Sequence, residues 1–482
     1  MIINLKHTDY LETGAFISNE NAETYKNYTK NESVFITQNN TVRLKEELIK
    51  IINDSTTVLK ICSFIITDKE IFDLILEKAT RTNVTIFILT QLDKSKLNNF
   101  TSLSEFLTEE EMNDKTSTIH LNYIKKLHDN GVHIRASESA HAKFIIADRG
   151  CGFIMSANIT TPSLNENTES GIYLDKNSSE ELDKLFDIIY IKGTNYSGFT
   201  NSLKKGKMMV NYTQVNYAFD NLPKAADSNL RFTYLDKTFN LLDEITNIID
   251  NSNEFIYLST YSIVGLQHIE RLVKALENAV IRGVKVFLFC RGMNYRNDHL
   301  SASEVLAKIG CEIFGNYDNH SKGIISETDG LIFTANIDGN HGLINGFEVG
   351  CILNKKQRED FLDFHKYLIN HSNYKYKIAP QRIDLIKAYI NYEKYKNISP
   401  TQIPSDLIIK ANLNINVEKD DFLKLPIFYA ISDKNTHLTV GNYTYDCVFE
   451  GNTFTIVKKQ YFQYNREKYL LKFFNLTLEI VQ

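Results

Sequence analysis

The 482-residue chain lacks a hydrophobic run long enough to cross a membrane, cysteines at metal-ligand spacing, and any excess of positive charge. No stretch approaches the ~18 consecutive apolar residues of a spanning helix. The opening MIINLKHTDYLETGAF has neither the basic region nor the apolar run of a secretory signal. Membrane insertion and export are therefore not expected, and a cytoplasmic location is. The six cysteines, Cys62, Cys151, Cys290, Cys311, Cys351 and Cys447, are scattered and form no CxxC. Most sit in apolar runs, which favours buried free thiols over disulfides or a zinc site. A net charge of −5 excludes a globally basic nucleic-acid coat while leaving room for a local positive groove. No HExxH and no carboxylate cluster offers a metal site, so metal-independent chemistry without a cofactor is expected.

What the chain does have is an internal repeat. At ~150 residues per domain its length allows about three domains, and a hydrophobic content of 43% supports packed cores. An apolar strand over Val58 to Ile66 is followed by a helix with Ile71, Leu74 and Ile75 at helical spacing, then by a strand over Val84 to Leu89. The second copy reads strand Phe255 to Leu258, helix with Ile269, Leu272, Val273, Leu276 and Val280, then strand Val284 to Phe289. Asn83 and Gly283 occupy the same slot, where a left-handed residue would end each helix. Gly131 and Gly310 each lie ten residues before a histidine and extend the duplication.

Those histidines open the pattern that carries the chemistry. After His141-Ala142-Lys143 come Asp148 at plus seven, Ser156 at plus fifteen, Asn158 at plus seventeen and Glu169 at plus twenty-eight. After His320-Ser321-Lys322 come Glu327, Thr334, Asn336 and Glu348 at plus seven, fourteen, sixteen and twenty-eight. Period-two alternation puts each histidine and lysine on one face of a strand, with the asparagine on its neighbour.

This double pattern resembles the phospholipase D superfamily, whose HKD signature is H-x-K, four residues, D, six residues, then G-S-x-N. The first copy departs only by Met155 in the glycine position. The second carries Glu327 for Asp and Thr334 for Ser, lacks the glycine, and is one residue shorter in the turn. The resemblance implies an α/β fold of two duplicated phospholipase D-like α-β-α sandwich halves around a pseudo-twofold axis, with a complete site formed within one chain. It also implies that Asp148 and Glu327 are structural and that Glu169 and Glu348 orient the histidines.

A phosphodiester resists nucleophiles because its oxygens are anionic, so a metal-free site must supply positive charge and a positioned attacking group. Two histidines meet the second need, one attacking phosphorus to give a phosphohistidine while the other protonates the leaving oxygen. The residues do not say which does which; the resemblance favours His141 as nucleophile. Lys143 and Lys322 would hold the non-bridging oxygens, helped by Asn158, Asn336, Ser156 and Thr334. Glu169 and Glu348 would each accept a ring N–H and stabilise imidazolium.

The linear reading divides the chain into an N-terminal segment at 1–40, a first repeat at 41–200, a second at 225–372, and a connector helix with a small mostly-β C-terminal domain at 373–482. The first repeat is 21 residues longer between Asn83 and His141 than the second is between Gly283 and His320. The excess falls in the polar stretch 95–118, which is either a lid over the cleft or a tolerated surface insertion. Lysines and tyrosines interleave through 373–400, suiting either single-stranded nucleic acid or a solvated amphipathic helix. Arg291, Tyr295 and Arg296, beyond a core strand, are candidates to bind a second phosphate. Family habit points to a nuclease acting on nucleic acid, DNA first, in bacterial restriction or anti-phage defence, with a helicase or ATPase as a partner. A soluble phospholipase or phosphatidyl transferase and a catalytically impaired nucleic-acid-binding subunit are the alternatives.

Overall fold

The computed structural model describes residues 2–7, 14–92 and 114–380, apart from 25, 31–32, 40, 203–206, 214, 216–221, 223–227, 236–237, 239 and 294–295. Further on it describes residue 384 and strands between 412 and 481. Residues 93–113, which hold most of the 95–118 insertion, Tyr295, and most of the 381–411 stretch lie outside the described residues; the last part of the insertion begins the helix Asp114–Asp129.

The chain divides into two units, and the larger comprises Thr24–Arg291 and Asp318–His371. Its first half is built on Val58–Ser63, which pairs in parallel with Thr85–Gln91, itself parallel to His133–Ser137. On its other side Val58–Ser63 pairs antiparallel with Phe144–Ala147, followed by Cys151–Met155, Glu169–Tyr173 and Phe35–Gln38, each antiparallel to the last. The second half repeats this order. Phe255–Ser259 is parallel to Lys285–Arg291 and antiparallel to Gly323–Ser326, followed by Gly330–Phe333, Phe347–Ile352 and Leu230–Tyr234. The result is an α/β fold of two mixed sheets. A strand buried on both faces needs apolar side chains throughout, which is why these segments read as near-continuous hydrophobic runs.

Matching helices cover the sheets. Arg43–Asp54 buries Leu44, Leu48, Ile51 and Ile52, and its counterpart Asn240–Asn251 buries Leu241, Ile245, Ile248 and Ile249. Each presents apolar residues every three or four positions to the core and polar ones to solvent. Lys69–Arg81 begins at Asp68, whose side chain accepts the Ile71 N–H, and Lys355–Asn370 begins with a reciprocal capping box between Asn354 and Gln357.

Helix ends correct one expectation. Gly283 is left-handed at φ 88°, as are Gly131 at 89° and Gly310 at 104°, but Asn83 is not. The helix before Asn83 stops at Arg81, Thr82 turns extended, and its hydroxyl donates to the Lys78 carbonyl at 2.6 Å. A side chain thus satisfies the free carbonyl that the left-handed turn would otherwise have served.

The other unit comprises Met1–Glu23, Gly292–Tyr317 and Ser372–Gln482. Within it Tyr374–Lys377 forms a strand between Glu312–Asn316 and Ala15–Ser18, so the start of the expected connector helix is β structure. Alternation decides this: Tyr374 is buried, and Tyr376 stands edge-on to Phe16 with ring centroids 5.3 Å apart. A separate seven-stranded sheet gathers the C-terminal strands Asn412–Ile415, Phe428–Tyr429, Thr436–Val440, Tyr443–Glu450, Thr453–Ile456 and Leu476–Val481. Its seventh strand is Ile2–His7, parallel to Asn412–Ile415 and antiparallel to Leu476–Val481.

Candidate active site

Each histidine-lysine motif lies immediately before a hairpin strand, not within it: Phe144–Ala147 starts after Lys143, and Gly323–Ser326 after Lys322. The reason is that the backbone before each motif belongs to the other half. The Phe347 N–H donates to the Ser139 carbonyl at 2.8 Å, and the His141 N–H to the Phe347 carbonyl at 3.3 Å. Symmetrically, the Thr168 N–H donates to the Asp318 carbonyl and the His320 N–H to the Thr168 carbonyl, both at 2.9 Å. Backbone bonds between the halves therefore place each histidine beside the glutamate strand of the opposite repeat.

The side chains follow suit. His141 Nδ1 lies 2.5 Å from Glu348 Oε1, and His320 Nδ1 lies 2.8 Å from Glu169 Oε1. The carboxylates cross over. Neither belongs to the repeat of the histidine it serves, a pairing that the two equal spacings cannot reveal. Ser156 and Thr334, read from sequence as phosphate contacts, donate their hydroxyl hydrogens to the second oxygens of Glu169 and Glu348, each at 2.5 Å. The same hydroxyls accept the N–H groups of Ser170 at 2.9 Å and Val349 at 3.0 Å. Their first task is thus to hold the carboxylates. Both lysines are buried and turn back on their own motif, Lys143 Nζ at 3.0 Å from His141 Nδ1 and Lys322 Nζ at 3.1 Å from His320 Nδ1.

Residues 48–190 match the family described as the phospholipase D-like domain of cardiolipin synthase. No curated protein matches the chain. Among solved structures, phosphatidylserine synthase from Haemophilus influenzae Rd KW20 aligns over 80% of this chain and 95% of its own, at 10% identity and a TM-score of 0.50. The chain spans 47% of polyphosphate kinase from Porphyromonas gingivalis, which aligns over 67% of this chain at 14% identity and a TM-score of 0.43. The phospholipase D family member Nuc from Salmonella typhimurium is 21% identical over 30% of this chain and 96% of its own, with a TM-score of 0.27. Residues 48–190 form a phospholipase D-like domain.

The two half-sites differ electrostatically. Burial alone would raise both glutamates. At Glu348 the charges of His141 and Lys143 and the hydrogen bonds from His141 and Thr334 outweigh it, and the carboxyl falls below its usual range. At Glu169 burial wins over Lys322, Ser156 and Lys143 and pushes the carboxyl up to about 8. Geometry explains the difference, because His141 makes a hydrogen bond to Glu348 whereas Glu169 Oε1 meets His320 Nδ1 outside hydrogen-bond geometry. Access differs too: the His141 side chain is 26% exposed and that of His320 5%.

The remaining residues of the two motifs are placed as follows. Asn158 and Asn336 are buried, two residues past the hydroxyls that hold the carboxylates. Asp148, at the far turn of the first hairpin and left-handed at φ 49°, accepts the N–H groups of Thr56, Thr57 and Val58 and both threonine hydroxyls. Glu327 accepts the Asn253 N–H at 2.5 Å and the Phe255 N–H at 3.4 Å, its longer side chain bridging the shorter turn. These carboxylates tie hairpin to core strand. Arg291 lies in the same unit as the motifs, with its Cζ 5.3 Å from the centroid of the Tyr261 ring. Arg296 belongs to the other unit, where it pairs with Asp298 at 2.5 Å.

Sequence reading missed the rings beside the histidines. Phe64 stands edge-on to His141 and Tyr261 to His320, each with centroids 5.1 Å apart. A repeated dipeptide marks them, Ser63-Phe64 and Thr260-Tyr261, at the end of each first core strand. It also missed Ser170 and Ser321, whose hydroxyls meet at 2.8 Å between the halves, and Asp338, buried next to the second asparagine.

Proposed function

We propose that the chain cleaves phosphodiesters through a phosphohistidine and that its substrate is nucleic acid. The observation that carries the reaction is the crossed pairing, two imidazoles each set against a buried carboxylate and a buried lysine. His141, the more exposed, attacks phosphorus through Nε2 while Nδ1–H is held by Glu348; a P–N bond forms and the P–O bond to the leaving group breaks. His320 gives the departing oxygen its proton. Water then enters on the same side and loses a proton to His320, and its oxygen displaces His141 from phosphorus. Lys143 and Lys322, swung from their own histidines, neutralise the non-bridging oxygens where charge builds up. The guanidinium of Arg291, over the Tyr261 ring, suits a polyanionic substrate.

Phosphatidyl transfer is the second reading, favoured by the likeness of residues 48–190 to a cardiolipin synthase domain. There an alcohol would replace water in the second step. Labelled single- and double-stranded DNA and phosphatidyl substrates in vesicles, each in excess EDTA, separate the two. Wild type should cleave DNA while His141→Ala and His320→Ala do not. Turnover of lipid alone would replace the nucleic-acid reading, and turnover by both mutants would end the two-histidine mechanism.

A further inference from the structure

Behind their histidines the half-sites are unequal. In the first, the Gln91 N–H donates to the Phe64 carbonyl at 3.4 Å; in the second, the Arg291 N–H donates to the Tyr261 carbonyl at 3.1 Å. Since the Phe64 and Tyr261 rings meet their histidines alike, the backbone puts Arg291 in the place of Gln91. The Ile159 N–H bonds to Ser63 Oγ as the Ile337 N–H does to Thr260 Oγ1, so the next residues, Thr160 and Asp338, are equivalent in turn. Burial raises the Asp338 carboxyl, and His141 is among the charges within Coulombic reach of it. The His320 side therefore holds a guanidinium where the other has an amide, and the His141 side holds a carboxylate where the other has a hydroxyl.

That polarity orients an anionic substrate. A phosphate next to the scissile one is drawn to the His320 side by Arg291, which has only an amide as its counterpart on the other side. Arg291 is 8% exposed and lies over the Tyr261 ring, so its planar fork is pre-set and one edge suffices for contact in poorly hydrated surroundings. Asp318, also within Coulombic reach of the guanidinium, is itself deeply buried, and burial raises its carboxyl towards the neutral form.

We propose that Arg291, backed by Tyr261, binds a second phosphate on the His320 side of the scissile diester. The substrate would then be one whose portion on that side carries its own phosphate. This rests on the phosphodiesterase reading above and narrows it. Either the next phosphate of a polynucleotide or the pyrophosphate of a liponucleotide presents that chemistry, whereas a neutral or cationic alcohol does not.

The test compares kcat/KM for the dinucleotide TpT with that for TpT bearing a terminal 5′- or 3′-phosphate, in wild type, Arg291→Gln and Arg291→Lys. Bis(p-nitrophenyl) phosphate reports the chemistry alone, and a liponucleotide in mixed vesicles is the lipid arm. Wild type should prefer one phosphorylated dinucleotide by about 10- to 100-fold, the span of one charge-assisted contact. Arg291→Gln should bring that ratio to about one, with Arg291→Lys intermediate. If the glutamine variant does not fold, a reduced ratio in the lysine variant carries the test. A preference seen only with the liponucleotide, and lost in the variants, identifies the second phosphate as a pyrophosphate's. Absence of any preference in wild type, or its persistence in the variants, overturns the inference. Failure of wild type on every substrate, bis(p-nitrophenyl) phosphate included, instead removes the reading on which it rests.

Discussion

Glu348 Oε1 sits 2.5 Å from His141 Nδ1 although 207 residues separate them in the chain. Each half-site is therefore completed by the other repeat, and the two cannot be inactivated independently. Glu348→Gln should lower kcat by about 10²- to 10⁴-fold, because the amide cannot stabilise imidazolium. Histidine titration by NMR checks the pairing: Glu348→Gln should lower the midpoint of His141 and leave that of His320 in place. Movement of the histidine within the same repeat would mean the carboxylates do not cross.

Stability should fall as pH rises through the neutral range. Burial lifts Glu169 from its ordinary 4.5 to about 8, so the folded chain binds this proton more tightly than the unfolded one. The resulting stability is complete below the ordinary value and is lost as pH climbs towards the folded one. Glu348, lowered on folding, works the other way and costs stability only as the medium becomes acid. Glu169→Gln mimics the protonated form at every pH. Its melting temperature should match wild type near about pH 5 and exceed it at about pH 8 to 9. Parallel curves for the two proteins over that window would contradict the raised carboxyl.

The covalent intermediate should be trappable. With His320→Ala, a substrate whose leaving group needs no proton, such as bis(p-nitrophenyl) phosphate, should still phosphorylate His141, while hydrolysis slows by about 10²- to 10⁴-fold. Acid-labile label on the His141 peptide is the expected mass-spectrometric result. Label on His320 in the mirror experiment with His141→Ala, and none on His141, would reverse the roles.

Unequal anchoring of the two hairpins should show in unfolding. Asp148 accepts two threonine hydroxyls besides the N–H groups of Thr56, Thr57 and Val58, whereas Glu327 is held by backbone N–H groups, Asn253 and Phe255 among them. Asp148 is exposed and Glu327 half-buried, so water reduces the value of each bond. Asp148→Ala should cost about 1–2 kcal/mol in denaturant titration and Glu327→Ala less. Equal losses, or the reverse order, would remove the tie as an explanation.

The sequence makes the repeated frame readable because local rules build it. Apolar runs such as Leu59 to Ile66 have the length of buried strands, and Leu272 and Leu276 recur at helical spacing. Spacing also picks out the polar residues of each motif, since a hairpin of nearly fixed length separates histidine from asparagine. It says nothing about which of two equivalent glutamates meets His141, because that depends on how two sheets abut. Asn83 and Tyr374 show the other limit. A threonine hydroxyl replaced the left-handed turn in one case, and in the other a lysine-tyrosine alternation fitted a strand as well as an amphipathic helix. Nor does anything in Ile2–His7 announce partners at Asn412–Ile415 and Leu476–Val481.

That strand also sets a timetable. Ile2–His7 leaves the ribosome long before Leu476–Val481, the segment it pairs with, has been made. At ~5–20 residues per second it waits on the order of half a minute, an unpaired apolar edge open to chance partners. The intervening repeats have that interval in which to fold, and the seven-stranded sheet closes afterwards, when Leu476–Val481 reaches Ile2–His7.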